Sequence, residues 1–474
     1  MGQEVDRTRF TDADFARFDA RMREELALLH RVADGGGLSR AGFVVGFELE
    51  AWLVDHGLVP APVNDAYLAT LADPLVVPEL SRFNVELNGT PCALGGTAFS
   101  ALAEELEGTW RRCLDVSHRM DAALVMIGIL PTIRRSDLTL ANVSALRRYA
   151  ALYEQIMRLR AGRPVQLDID GDEPLRLANA DVMFEAATTS FQVHLQVPAE
   201  LAVRFYNASL LASAPVLAAA TNSPFLFGHR LWHETRVPLF EQAVATDPCD
   251  GPERRRVTFG GGWMRESVVE HFDDVVAHFP VLVPHASDDP PERFPHLRFH
   301  NGTIWHWNRP LIGFDADGTP HVRIEHRVLP AGPSLLDMVA NAAFYVGLAS
   351  GLGTLSRPPE RDLPFDAVRA NFLAAARDGL AAEITWLDGR PRAVRTLLLE
   401  ELLPIARQGL VEQGVDAGES AHWLGIVEQR VRAGITGSVW QRRWIERHGP
   451  DFQRLLADYL EHQRSGAPVH EWPA

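Results

Sequence analysis

Four segments of this 474-residue chain alternate strictly between apolar and polar positions. Successive side chains of a β-strand point to opposite faces, so each segment reads as a strand with two distinct faces. In VVGFELEAWLV, starting at Val44, residues Val45, Phe47, Leu49, Ala51 and Leu53 form an apolar face. Gly46, Glu48, Glu50 and Trp52 form the other. In RFNVELN, Phe83, Val85 and Leu87 oppose Asn84, Glu86 and Asn88. SFQVHLQV sets Phe191, Val193, Leu195 and Val197 against Gln192, His194 and Gln196. HVRIEHRV sets Val322, Ile324, His326 and Val328 against Arg323, Glu325 and Arg327.

Between these strands the period lengthens to that of a helix. Residues 11–33 start at Thr11 and stop before Gly35-Gly36-Gly37. Further helices are expected over 97–126, over 142–161 with Asn142 or Ser144 as cap, over 199–220, and almost throughout from Ser334. Leu75–Asn88 reads as a turn and a strand, and GTIWHWNRP with HVRIEHRVL as a hairpin around residues 315–318. Glycines 260–262 mark a loop, and GLASGLG (347–353) offers small residues for helix packing. LSRPPERDLP (355–364) reads as a joint between an α+β core, 1–354, and a helical C-terminal subdomain, 365–474, packed on it as one unit.

Composition narrows what such a protein does. With 46% hydrophobic and 23% charged residues it resembles a soluble globular chain with a large core. A formal net charge of -16 disfavours nucleic acid and anionic membranes, whose phosphates the average field repels. The opening MGQEVDRTRF has no apolar segment, Asp6 breaks the myristoylation pattern, and the apolar run around Leu210–Ala220 reads as a buried helix. Cys92, Cys113 and Cys249 form neither a disulfide framework nor a zinc pattern, so a reducing cytoplasm is the expected compartment. All 46 basic residues are arginine. Without lysine, a P-loop, a protein-kinase strand lysine and Schiff-base catalysis are excluded, and any phosphate must be held by arginine, backbone N–H groups or metal.

The polar strand faces then gain meaning. They carry Glu, Gln, Asn, His and Arg, with almost none of the Ser and Thr of a solvated sheet. Glutamates and one histidine supply oxygen and nitrogen ligands for Mg²⁺ or Mn²⁺, and arginines take phosphate or carboxylate bidentately. Glu48 and Glu50 lie on one side, roughly 6.5–7 Å apart along the backbone. A half-solvated antiparallel sheet explains the same alternation and stays open on pattern alone.

At these residues the chain resembles the glutamate–cysteine ligases of the second, bacterial and plant type, with their carboxylate–amine ligase relatives. The ordered motifs are GFELEAWLVD (46–55), ELSRFNVELN (79–88), GILPT (128–132), RYAALYEQI (148–156), EAATTSFQVHLQV (185–197), NSPFLFG (222–228), LWHETRVPLFEQ (231–242), GTIWHWNRP (302–310) and RIEHRVLPAGPS (323–334). NFLAAARDGL (371–380) matches the family's C-terminal helical region. The resemblance implies an α+β fold similar to glutamine synthetase and the guanidino kinases, a curled antiparallel sheet with helices outside. It implies small-molecule partners: ATP, a glutamate-like acid whose side-chain carboxylate is phosphorylated, and an amine, cysteine or another, that attacks the acyl phosphate. A homo-oligomer is expected by the same analogy.

Position by position, the resemblance makes Glu50, Glu79 and Glu86 ligands of one metal, and Glu48, His194 and Glu325 ligands of a second metal, or a second pair, touching ATP phosphates. Arg327 stabilises the transferring phosphoryl group, and Arg309 binds phosphate or pairs with a site glutamate. Arg236 clamps a substrate α-carboxylate, with Arg230 a weaker candidate, and Gln196 and Asn88 hydrogen-bond substrate. Bland alternatives are a capping role for Glu79, surface ion pairs for Arg230 and Arg309, and a core position for His194 and for Trp232, Trp305 and Trp307. Two departures bear on the acceptor: Leu329-Pro330 where the family often has an aspartate, and Gly89 where a bulkier residue is usual. A guanidino-kinase-like phosphotransferase and a non-catalytic nucleotide-binding relative remain as rivals; the intact set of acids, His194 and Arg327 argues against the latter.

Overall fold

The alternating segments meet as neighbours in one antiparallel sheet. A computed structural model describes residues 4–246 and 254–473 of the chain. The strand order is Asn308–Phe314, Pro320–His326, Phe191–Val197, Val44–Val54, Asn84–Asn88, Val76–Pro78, and the short Cys92–Ala93 and Ala123–Val125 also pair with Val44–Val54. Val44–Val54 is long enough, at 11 residues, to pair with several partners and so lies at the centre. The sheet is curled, with its polar face inward and helices outside, an α+β architecture.

The apolar faces are buried: Leu49, Ala51, Val85, Leu87, Val193 and Leu195 have no solvent exposure. The helices Ala202–Ala220 and Leu335–Gly353 pack against the sheet and each other. Both are long and apolar enough to cross a membrane, but most of their residues are buried inside the protein, and a helix apolar all round belongs in a core. The glycines of 347–353 have a packing reason. A Cβ on Gly347 would meet the Ala406 carbonyl oxygen at 2.5 Å, and one on Gly351 the Ile405 Cγ2 at 2.6 Å, so the helix Leu403–Glu412 approaches only because both are glycine.

Among the described residues one large cluster of buried apolar side chains includes both Val5 and Trp472, with a small second one of Val275, Phe279 and Ile304. Residues 355–364 carry a 3-10 turn, Pro359–Arg361, and helices beyond it bond back to the earlier part of the chain. Tyr459 Oη donates to the Met126 carbonyl at 2.9 Å, Gln463 Nε2 to the same oxygen at 2.8 Å, and buried Arg430 pairs with Asp337 at 2.8 Å.

Three elements differ from the sequence pattern. The helix expected over 97–126 spans Ala98–Arg119; Asp121 adopts a positive φ of 53° and the chain turns into the strand Ala123–Val125. The helix expected from 142 starts at Arg147, because Asn142 O accepts from Arg82 N (2.7 Å) and Ser144 Oγ accepts from Asn64 Nδ2 (3.0 Å). The first bond ties the segment to the 79–84 loop, the second to the start of the helix Asn64–Leu71. Where a turn is expected after Leu75 a short strand, Val76–Pro78, forms, and Glu79 sits in the connection between it and the expected strand Asn84–Asn88. Cys92 and Cys113 are free thiols; Cys249 lies outside the described residues.

Candidate active site

Directly paired residues of antiparallel strands share a face, so the register decides which polar side chains meet. Glu48 lies opposite Asn88 on one side and Gln192 on the other, Glu50 opposite Glu86, His194 opposite Gly46 and Glu325, and Glu325 opposite Arg309. These side chains line a cavity of about 790 Å³ on the concave side of the sheet, together with Glu79, Arg327 and others. Two sets of three stand out. Ligand atoms of Glu48, His194 and Glu325 all lie within 4.8 Å of one another, and so do those of Glu50, Glu79 and Glu86. His194 Nε2 is 3.2 Å from Glu48 Oε1 and 4.0 Å from Glu325 Oε1. Glu79 enters from the loop, its Oε2 accepting from Leu80 N at 3.0 Å.

The two sets differ electrically. Glu325 takes a fork from Arg309 (Nη2 to Oε1 2.9 Å, Nε to Oε2 3.0 Å) and a further bond from Arg327 Nη2 at 3.0 Å. Burial works against its ionisation, but Arg309, Arg327 and His194 hold its carboxyl well below the usual range. Glu48 is likewise lowered: burial opposes ionisation, and His194 outweighs it. At the other set, burial and then the Glu79 charge push Glu50 up to about 7. Glu86 is pushed well above its ordinary value by burial and by Glu48, Glu79 and Glu50. Glu185, beside them in the cavity, rises to about 8 through burial, Glu79 and Glu50. Like charges so close resist joint ionisation unless cations join them. Oxygen and imidazole donors of this kind suit Mg²⁺ or Mn²⁺, so both sets fit a hard divalent ion.

This gives a stability prediction with a sign. Glu50 and Glu185 have folded-state values near 7 and 8 against an ordinary 4.5, so their contribution is present below 4.5 and lost as pH rises through 7 to 8. The buried histidines with lowered values, such as His271 and His300 at about 4, are neutral in both states above pH 6.5 and drop out there. Between pH 6.5 and 8 the metal-free protein should therefore lose thermal stability. Millimolar Mg²⁺ should offset the loss, raising Tm by about 2–4 °C or more at pH 8 and less at pH 6.5. Differential scanning fluorimetry checks it; a shift independent of pH would contradict the charge assignment.

Not every expected residue reaches the cavity. Arg236, expected to clamp a carboxylate, is fully buried beneath it. Its Nε donates to Glu234 Oε1 (3.1 Å), Nη1 to the Arg327 carbonyl (3.3 Å) and Nη2 to the Val328 carbonyl, and its guanidinium sits 5.4 Å from the Trp307 ring centre. At the start of the helix Arg236–Ala243, it fastens the chain just beyond the last strand through the Arg327 and Val328 carbonyls. Arg236→Ala should therefore cost about 3–5 kcal/mol by leaving buried Glu234 without its counter-charge, though still bonded by Asn222 N and Ser223 Oγ, and two carbonyls unpaired. Thermal melts should show the loss, with no selective rise in KM for an acid substrate. Arg230 is at the surface, pairing with Asp172 (2.7 Å) and Glu446 (2.9 Å). Gln196 donates instead to Asp315 at 3.2 Å, at the hairpin turn. Asn88 does line the cavity, and its Nδ2 donates to Glu86 at 3.0 Å. Arg309 pairs with Glu325 rather than standing free, and Gly89 has a local cause, since a Cβ there would meet the Phe47 ring at 2.5 Å.

Other cavity residues had no signal in the alternation. Glu185 sits in a 3-10 turn, Arg148 and Tyr149 on the helix Arg147–Leu159, and Arg298 on the helix Pro295–Asn301. Arg323 lies on the strand face already read as polar, two residues from Glu325.

The model of glutamate-cysteine ligase family 2 matches residues 44–458. Among solved structures, the chain is similar to a glutamate–cysteine ligase from Francisella tularensis in complex with AMP. The TM-score is 0.56 at 12% identity, covering 92% of this chain and 91% of that one. A bifunctional glutathione synthetase from Pasteurella multocida matches with a TM-score of 0.49 at 12% identity, covering 93% of this chain and 54% of that one. No curated protein sequence gives a significant match. At these identities the structural likeness is one of fold.

Proposed function

Because the chain belongs to glutamate-cysteine ligase family 2, we propose that it is an ATP-dependent carboxylate–amine ligase that activates the side-chain carboxylate of a glutamate-like acid. The observation that carries this reading is the pair of three-residue sets in one cavity, fed by Glu48 and Glu50 of a single strand, with Arg327 beside them. Glu50, Glu79 and Glu86 would hold one divalent ion, and Glu48, His194 and Glu325 another. Bound there, such ions would neutralise phosphate oxygens and align them with the acid.

The chain's own groups do the rest. Phosphoryl transfer needs charge neutralisation and alignment more than a protein nucleophile, which suits a site without lysine. Arg327 presents a guanidinium that stays charged despite burial because Glu325, Glu50 and Glu48 surround it, and it holds the oxygens of the γ-phosphoryl group as it moves to the carboxylate. Arg309 keeps Glu325 oriented through its two parallel bonds. The buried walls exclude water, which protects an acyl phosphate from hydrolysis until the amine attacks its carbonyl carbon and phosphate leaves.

The test is phosphate release from ATP with Mg²⁺, scanning amino acids singly and in pairs. Release that requires both glutamate and an amine is expected. Stable ADP formation with a single acceptor and a phosphorylated product would instead make the protein a phosphotransferase.

A further inference from the structure

Glu185 lines the cavity but belongs to neither three-residue set. It stands on the 3-10 turn Glu185–Ala187, just before the strand Phe191–Val197. Its Oε2 is buried and, among the described residues, has no hydrogen-bond partner. Buried carboxyl oxygens are otherwise nearly always paired, so an unpaired one facing a cavity points to a ligand that supplies the donor. The surroundings say which kind. Val182, whose carbonyl accepts from Glu185 N at 3.2 Å, lines the same cavity, as do Leu152, Ile156 and Val244. An acidic oxygen in a cavity whose lining is partly aliphatic complements a positively charged nitrogen on an apolar chain.

We propose that Glu185 binds the ammonium group of the acceptor, and that the acceptor is a primary amine bearing an apolar substituent. The proposal rests on the ligase reading above and names one half of its substrate pair. The electrostatics agree: burial and the charges of Glu79 and Glu50 oppose ionisation of Glu185, and an incoming cation offsets both. Because Glu185 is outside the two sets, its loss should weaken recognition of the amine more than activation of the acid.

Hydroxylamine separates the two, since it is uncharged at neutral pH and traps an acyl phosphate as a hydroxamate. Wild type and Glu185→Gln are given ATP, Mg²⁺ and L-glutamate with hydroxylamine, or with L-cysteine, L-2-aminobutyrate or n-butylamine. The ratio of amide to hydroxamate rate should fall about tenfold or more in Glu185→Gln, with a raised KM for the best amine. A ratio equal to wild type, whether both rates fall together or neither does, overturns the role of Glu185. Should Glu185→Gln fail to fold, Glu185→Asp, which keeps the charge on a shorter stem, is expected to lower the ratio less and is judged by the same standard. Wild-type hydroxamate without amide from any of the three amines overturns the apolar-amine class. No hydroxamate from wild type overturns the ligase reading itself, and the proposal with it.

Discussion

Arg327→Ala should lower kcat by about 10³-fold or more while the protein stays folded. Arg327 leaves the end of the Pro320–His326 strand and its N–H donates to the Trp307 carbonyl at 3.0 Å, so its backbone is fixed independently of its side chain. Its guanidinium bonds Glu325 Oε2 through Nη2 (3.0 Å) and Nε (3.2 Å) and lines the cavity. Removing it does not orphan Glu325, which keeps both bonds to Arg309. The stability cost should therefore be about 1.5–3 kcal/mol, that of bonds to a charged group. Arg327→Lys should rescue little, because an ammonium lacks the planar fork that spans two phosphoryl oxygens. Steady-state phosphate release beside a thermal melt decides it. Near-normal turnover in a folded Arg327→Ala protein would remove Arg327 from the chemistry.

Glu50→Gln should also abolish turnover, by about 10³-fold, with the opposite effect on stability. The amide is isosteric and keeps an oxygen for Ser190 N, which bonds Glu50 Oε2 at 2.7 Å. It removes one negative charge from beside Glu79 and Glu86. At pH 8, where wild-type Glu50 is forced to ionise past its value of about 7, the metal-free variant should melt no lower than wild type. Its Tm should respond less to Mg²⁺, since a neutral amide is a poor ligand for a hard cation. A Mg²⁺ response as large as that of wild type would place the ion elsewhere.

The strand faces were legible because their cause is local. A period of two puts Glu48 with Glu50, Glu86 with Asn88, His194 with Gln196, and Glu325 with Arg323 and Arg327, whatever the rest of the chain does. The hairpin around 315–318 and the buried character of 202–220 follow from equally local signals. Element ends were less legible, since the stop at Arg119 follows from a positive φ at Asp121 and the late start at Arg147 from hydrogen bonds to segments distant in the chain.

What alternation cannot state is which strand lies beside which, and where non-periodic residues point. Pairing of Phe191–Val197 with both Val44–Val54 and Pro320–His326 brings His194 to Glu48 and Glu325. Loop packing brings Glu79 to Glu50, and a short turn sets Glu185 in the same cavity. Arg236 is taken up by Glu234 and the Arg327 and Val328 carbonyls, while Gln196 is drawn to Asp315. The sequence by itself determined the two faces and the chemistry carried on each, because backbone geometry repeats every second residue. The tertiary structure alone decided which of those groups converge, because convergence depends on contacts between segments far apart in the chain.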